Sequence, residues 1–188
     1  MLIGITGPLC SGTNAAGFIL IKNGFKKFSL ADYLRVEMKK LGIKENRKNM
    51  QDFGDKLRKE GGPGAIVKLS LPSLDMNKDY VIESVRNPGE VEELKKLGDN
   101  FVLLLIDASV KIRFRRLLKR ARDEDEPKTF EEFRKWEERD LGIGQPKYGQ
   151  QQSAVFEMAD KTIVNEGSFD DLKKEVETLL HDLNYNNL

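Results

Sequence analysis

In the stretch "GITGPLCSGTNAAG", Gly7 and Gly12 stand five residues apart, directly after the apolar run 2–5 and ahead of a helix-like segment. This is the layout of a phosphate-binding loop, G-x-x-x-x-G-K-[ST], in which backbone N–H groups and a helix N-terminus hold phosphate and a lysine reaches the far phosphates. Gly7, Ser11 and Gly12 leave room for the backbone to approach a ligand, and Pro8 fixes one φ angle. The lysine position, however, is Thr13, followed by Asn14 and Ala15. Asn14 can donate a hydrogen bond but carries no charge. Losing one preorganised electrostatic donor costs roughly 3–4 kcal/mol, or about 10² to 10³ in rate. The loop therefore reads as a phosphate cradle without its cation, or as a tight strand-to-helix turn with no ligand. Cys10 lies in it, either activated by the helix N-terminus or inert.

Other charged residues recur at predicted strand ends. In "KKFSLADYLR", Asp32 and Arg35 share the first turn of a helix, as a phosphate grip or as a surface ion pair. In "YVIESVRNPGEVEEL", a buried strand leads to Glu83, with Arg86 just before Asn87-Pro88-Gly89. A charged residue there points into the crevice where open α/β sheets bind ligands. Asp107 ends the next strand, as a helix cap or as a functional carboxylate. In "SVKIRFRRLLKRARDEDEP", Arg113, Arg116 and Arg120 fall on one side of a helix, leaving Phe114, Leu117, Leu118 and Ala121 for the core. Arg120 or Lys22 are candidates to swing in where the loop lysine is missing.

These positions need a scaffold. Strands are expected at 2–6, 26–30, 80–85, 101–107 and 161–165. "LIGIT", "YVIESV" and "FVLLLID" are near-continuous apolar runs, as in strands buried on both faces of a parallel sheet. Helices are expected at 13–23, 31–41, 47–60, 64–71, 88–97, 109–121 and 168–183, the last opened by a capping box at Ser168 and Asp171. Alternating strands and helices predict a three-layer, doubly wound, parallel five-stranded α/β sheet. The charge-dense segment 122–152, with one short helix at 129–140 and little to bury, is expected to form a small helical lid, or else a solvated excursion. The tail "NYNNL" is expected to fray.

The 188 residues suit one domain, and 32 basic against 31 acidic residues give no general attraction to nucleic acid or membranes. No apolar run approaches the roughly 20 residues of a membrane span. One cysteine and one histidine exclude the common zinc patterns, so no protein metal site is expected. A cytoplasmic location is the expectation.

Together these stretches resemble the nucleoside-monophosphate-kinase-like branch of P-loop kinases, in particular the archaeal-type group described as dephospho-CoA-kinase-like or AAA-type nucleotide kinases. The resemblance spans nearly the whole chain and implies a single domain, 1–188, with an acceptor-binding helical insertion at about 31–75 and a lid at about 122–152. "FSLADYLR" is similar to the family's acceptor segment, implying that Asp32 and Arg35 bind the acceptor. "VIESVRNPGEVEEL" resembles its "VIDGIRNPGEVE" element, with Glu83 where aspartate is usual and Arg86 implied as a second phosphate arginine. "RFRRLLKRARDEDEPKTFEEF" resembles the lid entry, implying Arg116, Arg120 and Arg122 near the transferred phosphate. "GQQQSAVFEMADKTIVNEGS" resembles the closing segment, implying Asn165 and Gly167 beside the donor base. The loop departs from the family's S-G-K-G-T or S-G-K-S at three successive positions. The expectation is a kinase homologue that binds a nucleotide or phosphorylated metabolite, with transfer impaired or absent and a protein partner if it is non-catalytic. The alternative is an active kinase of (deoxy)nucleoside monophosphates or dephospho-CoA, using ATP or GTP with Mg²⁺.

Overall fold

A computed structural model describes residues 1–98, 100–120 and 126–185. Five strands, β1 (Leu2–Thr6), β2 (Lys26–Ser29), β3 (Tyr80–Glu83), β4 (Phe101–Asp107) and β5 (Lys161–Val164), form one sheet in the order β2-β3-β1-β4-β5. Every pairing is parallel. The central strand β1 is buried along its whole length, as its unbroken apolar run requires.

The helices are α1 (Thr13–Lys22), α2 (Leu30–Lys40), α3 (Arg47–Gly61), α4 (Ala65–Ser70), α5 (Pro88–Lys95), α6 (Val110–Arg120), α7 (Phe130–Leu141), α8 (Gln152–Glu157) and α9 (Phe169–Asp182). One side of the sheet packs Ile3, Ile5, Val81, Leu104 and Ile106 against α1 and α9. The other packs Leu2, Tyr80, Ile82, Phe101 and Leu103 against α2, α3, α4, α5 and α8. The alternation of residues along each strand supplies both faces, which gives the expected three layers.

Two strand ends differ for local reasons, and one helix is additional. β2 stops at Ser29 because its hydroxyl caps α2, accepting from the Asp32 N–H at 3.2 Å. β3 stops at Glu83 because Ser84 takes a φ of 68°, in the left-handed region that ends strand geometry. The helix α8 forms within a stretch of the sequence where none was expected.

Three expectations about packing are corrected. Segment 122–152 does bury material: Phe133 is fully enclosed, and Glu137, Asp140 and Gln150 are buried. On α6 the buried residues are Arg113 and Leu117, while Leu118 is exposed. At the tail, Tyr185 is buried against Phe25, with ring centroids 4.5 Å apart, and its hydroxyl donates to Asp79 at 3.0 Å. Ala121 and Arg122 lie outside the described residues.

Candidate phosphate-binding site

The loop after β1 keeps a cradle's geometry. Gly12, the residue before α1, has a φ of 114°, and a Cβ there would stand 2.2 Å from Asn165 Nδ2. A Cβ on Gly7 would stand 2.2 Å from the Ile106 carbonyl oxygen, backbone that cannot yield. Both glycines are therefore dictated by conformation and space. Ser11 N–H donates to Pro8 O at 3.0 Å, closing a turn.

The carbonyls of this loop are held from outside. Arg116 donates to Ser11 O at 3.0 Å and to Asn165 O at 2.9 Å. Asn165 Nδ2 donates to Ser11 O at 2.7 Å. Arg113 donates to Leu9 O at 3.2 Å and Ala108 O at 2.9 Å, and pairs with Glu137 of α7. In a trans peptide the N–H points opposite its carbonyl. Anchoring Leu9 O and Ser11 O to these side chains turns the N–H groups of Cys10 and Gly12 the other way. No side chain caps α1, and its first turn holds no acid. The N–H groups of Gly12, Thr13 and Asn14 find no acceptor among the described residues. Orphan donors at a helix N-terminus favour an anion. Ser11 Oγ is also buried with no partner among the described residues.

In front of this loop lies a small cavity of about 110 Å³, lined in part by Gly7, Thr13, Asn14, Glu83, Ser84 and Arg86. Beside it opens a cleft of about 1230 Å³ between α2, α3 and α7, lined among others by Arg35, Arg47, Arg58, Arg86, Trp136 and Arg139. Arg86 lines both spaces. Burial lowers its pKa, opposed by the nearby carboxylates of Asp140 and Glu90, neither of which forms an ion pair with it among the described residues. With the Gln150 amide oriented to satisfy its neighbours, its oxygen accepts from Arg86 at 3.2 Å and its nitrogen donates to Asp140 at 2.8 Å.

The other expected residues are distributed as follows. Glu83 reaches toward α1, with Oε1 2.5 Å from where a Gly17 Cβ would stand, and Oε2 accepts from Lys27 at 3.3 Å. Arg35 is half-exposed on the cleft wall, paired with Asp32 and, at 2.8 Å, with Glu45. Arg116 braces the back of the loop, while Arg120 pairs with Glu126. Pro8 is buried and Asn14 exposed. Gly167 is exposed before α9, whereas Asn165 is buried and touches Ser11. Asp107 accepts from the N–H of its neighbour Ala108 at 2.8 Å, outside α6, and so does not cap that helix. Cys10 is half-buried with its pKa pushed up by burial, which removes the activated-thiol reading. Lys22 stands at the far end of α1, roughly 13 Å along the axis at 1.5 Å per residue, and its ammonium lies over Phe18. It cannot stand in for the loop lysine.

Sequence reasoning missed several residues that build the cleft. Arg47 stacks over Trp136 at 4.6 Å and pairs with Asp140 at 2.6 Å. Arg139 pairs with Asp52 at 2.6 Å. Arg58, 4% exposed, meets the fully buried Glu90 at 2.8 Å. Glu90 also accepts from Arg86 N–H at 2.7 Å and Asn87 N–H at 3.1 Å, closing the α5 capping box. That box was readable in "NPGE", where glutamate follows asparagine by three.

No protein-family model matches the chain. A UPF0200 protein of Pyrococcus furiosus is 38% identical over 188 residues, spanning 96% of each chain. Another, of Pyrococcus abyssi, is 35% identical over 195 residues, spanning 100% of this chain and 99% of its own. The chain belongs to the UPF0200 family. Among solved structures, shikimate kinase from Aquifex aeolicus superposes with a TM-score of 0.54 at 16% identity over 99% of both chains. TT1252 from Thermus thermophilus gives 0.58 at 20% identity over 97% of both. At such identities the likeness shows the fold alone, and that fold is of P-loop kinase type. UPF0200 membership names no reaction, so the chemistry has to come from the site.

Proposed function

We propose that this UPF0200 chain binds a nucleotide or phosphorylated metabolite and that phosphoryl transfer by it is impaired or absent. The observation that carries this reading is the loop itself. Its two glycines are required by conformation and space and the N–H groups of Gly12, Thr13 and Asn14 find no acceptor among the described residues, yet Thr13 holds the lysine position. The cradle's geometry persists without its charge.

In this reading Arg86 and Arg35 bind the phosphate of the acceptor-type ligand in the cleft, and Arg47 and Trp136 form its outer wall. The donor's phosphates meet the loop, with Asn165 and Gly167 toward its base and Arg116 and Arg120 on the α6 side. The loop's free N–H groups fit the polyphosphate of ATP or GTP, and Glu83 and Thr13 would face its Mg²⁺. Bound Mg²⁺ would neutralise phosphate charge. The helix α7 acts as a lid, held to α3 by the pairs Arg47–Asp140 and Arg139–Asp52. No described helix is long and apolar enough to cross a membrane.

The test is a product-resolved phosphotransfer assay with Mg²⁺, ATP or GTP, and a panel of ribo- and deoxynucleoside monophosphates plus dephospho-CoA. A Thr13→Lys, Asn14→Gly, Ala15→Thr variant runs in parallel. The expected outcome is negligible turnover by the natural protein and a gain of roughly 10²-fold or more in the restored loop. Turnover by the natural protein at an ordinary kinase rate of about 1–100 s⁻¹ would establish the alternative, an active kinase with a non-standard loop.

A further inference from the structure

A phosphate loop without a cation raises the question of which charge faces the phosphates in its place. Five cations near the site are already engaged. Arg113 and Arg116 hold loop carbonyls from behind. Lys27 lies between Glu83 at 3.3 Å and Asp32 at 3.5 Å. Arg35 pairs with Asp32 and Glu45, and Arg120 with Glu126. Lys22 is at the wrong end of α1. Of the described residues lining the cavity in front of the loop, Arg86 is the one cation.

Arg86 is also fixed relative to the loop. Ser84, in left-handed geometry, turns the chain out of β3. The next residue, Val85, is 1% exposed, and its carbonyl accepts from Thr6 Oγ1, the residue before Gly7, at 3.2 Å. Arg86 N–H is held by Glu90, and its carbonyl accepts from Gln151 N–H at 2.9 Å. The guanidinium itself meets a neutral amide. The side chain is half-buried, and a partly desolvated guanidinium that meets a neutral amide gains from an anion that completes its surroundings.

We propose that Arg86 supplies to the loop the positive charge that Thr13 lacks, so that one guanidinium at the junction of cavity and cleft serves the terminal phosphates of a polyphosphate ligand. The inference rests on the reading of the loop as a phosphate cradle and adds the residue that completes it. A guanidinium donates through a planar fork and keeps its charge when desolvated, which suits a position shared by two phosphates.

Titration calorimetry with Mg²⁺–ATP and with inorganic tripolyphosphate tests this on the wild-type chain and on Arg86→Gln, Thr13→Lys and the double variant. Arg86→Gln should weaken both ligands by roughly 10- to 100-fold. Thr13→Lys in the Arg86→Gln background should restore affinity to within about threefold of wild type, because the loop regains a cation by the ordinary route. Unchanged tripolyphosphate affinity in Arg86→Gln would overturn the inference while leaving the cradle intact. A wild type that binds neither ligand would overturn the cradle reading and the inference with it. Should Arg86→Gln fail to fold, the side-chain Nε–H resonance of Arg86 in the wild type, identified by its loss in Arg86→Lys, must shift on adding tripolyphosphate. A resonance that stays in place would refute the proposal.

Discussion

Glu137 shows how one side chain ties α7 to the loop after β1. Its carboxylate pairs with Arg113, which holds Leu9 O, and its second oxygen is buried without a partner. Burial raises its pKa above the ordinary 4.5; Arg113 and Arg134 oppose the shift and Asp140 adds to it. A carboxyl with a folded pKa above its unfolded value takes up protons on folding. Stability therefore falls as pH rises through the interval between the two values, and the deficit is complete above the folded one. Glu137→Gln removes that dependence. Urea unfolding at stepped pH should show the variant gaining on the wild type as pH rises from 4.5, then holding a constant difference. A difference independent of pH would mean that Glu137 titrates alike in the folded and unfolded chain. The same pair explains why α6 was only partly legible. The spacing of Arg113, Arg116 and Arg120 marked a charged helix side correctly, but Arg113 turned out to be buried, because a guanidinium with a carboxylate and two carbonyls as partners tolerates burial.

Among the elements, α5 is the joint between the sheet, the cleft and the segment after α7. Asn87 caps it, accepting from Gly89 N–H at 3.0 Å, and its amide donates to Lys147 O at 3.0 Å and Gly149 O at 2.8 Å. One side chain thus starts the helix and fastens the segment after α7. Asn87→Ala should cost about 1 kcal/mol for the cap and roughly 1 kcal/mol for each orphaned carbonyl. In a chain of this size that lowers Tm by about 5–12 °C by calorimetry. Hydrogen exchange should quicken most at the hydrogen-bonded amides of that segment, Gly149 and Gln151. A Tm loss without local acceleration would show that the asparagine acts on α5 alone. Helix starts of this kind were readable in the sequence, as at Ser168, where the capping box forms at 3.2 Å.

The whole molecule brings many cations to one cleft. Arg35, Arg47, Arg58, Arg86 and Arg139 come from α2, α3, the β3–α5 turn and α7. An overall charge of +1 hid this concentration. A ligand that binds the folded state alone stabilises it by RT ln(1 + [L]/Kd), about 2.7 kcal/mol at a hundredfold excess over Kd. Pyrophosphate or a nucleotide at that excess should raise Tm by roughly 5–10 °C in differential scanning fluorimetry, and chloride at matched ionic strength should not. An equal response to chloride would reduce the cleft to a general screening surface.

The sequence by itself determined the layers and the place of the loop. Short apolar runs rich in β-branched or aromatic residues, such as "LIGIT" and "FVLLLID", fit strands covered on both faces, and in such a sheet the loop after the central strand opens at its carboxyl edge. The glycines at 7 and 12 were legible for the same reason, since local backbone geometry demands them. Only the tertiary structure decided which cation serves what. Arg113 meets Leu9, 104 positions away in sequence, Arg116 meets Ser11, 105 away, and Arg86 meets Gln150, 64 away. Periodicity reports which face of an element is buried, whereas the partner of a long side chain is set by helices packed against it from distant parts of the chain.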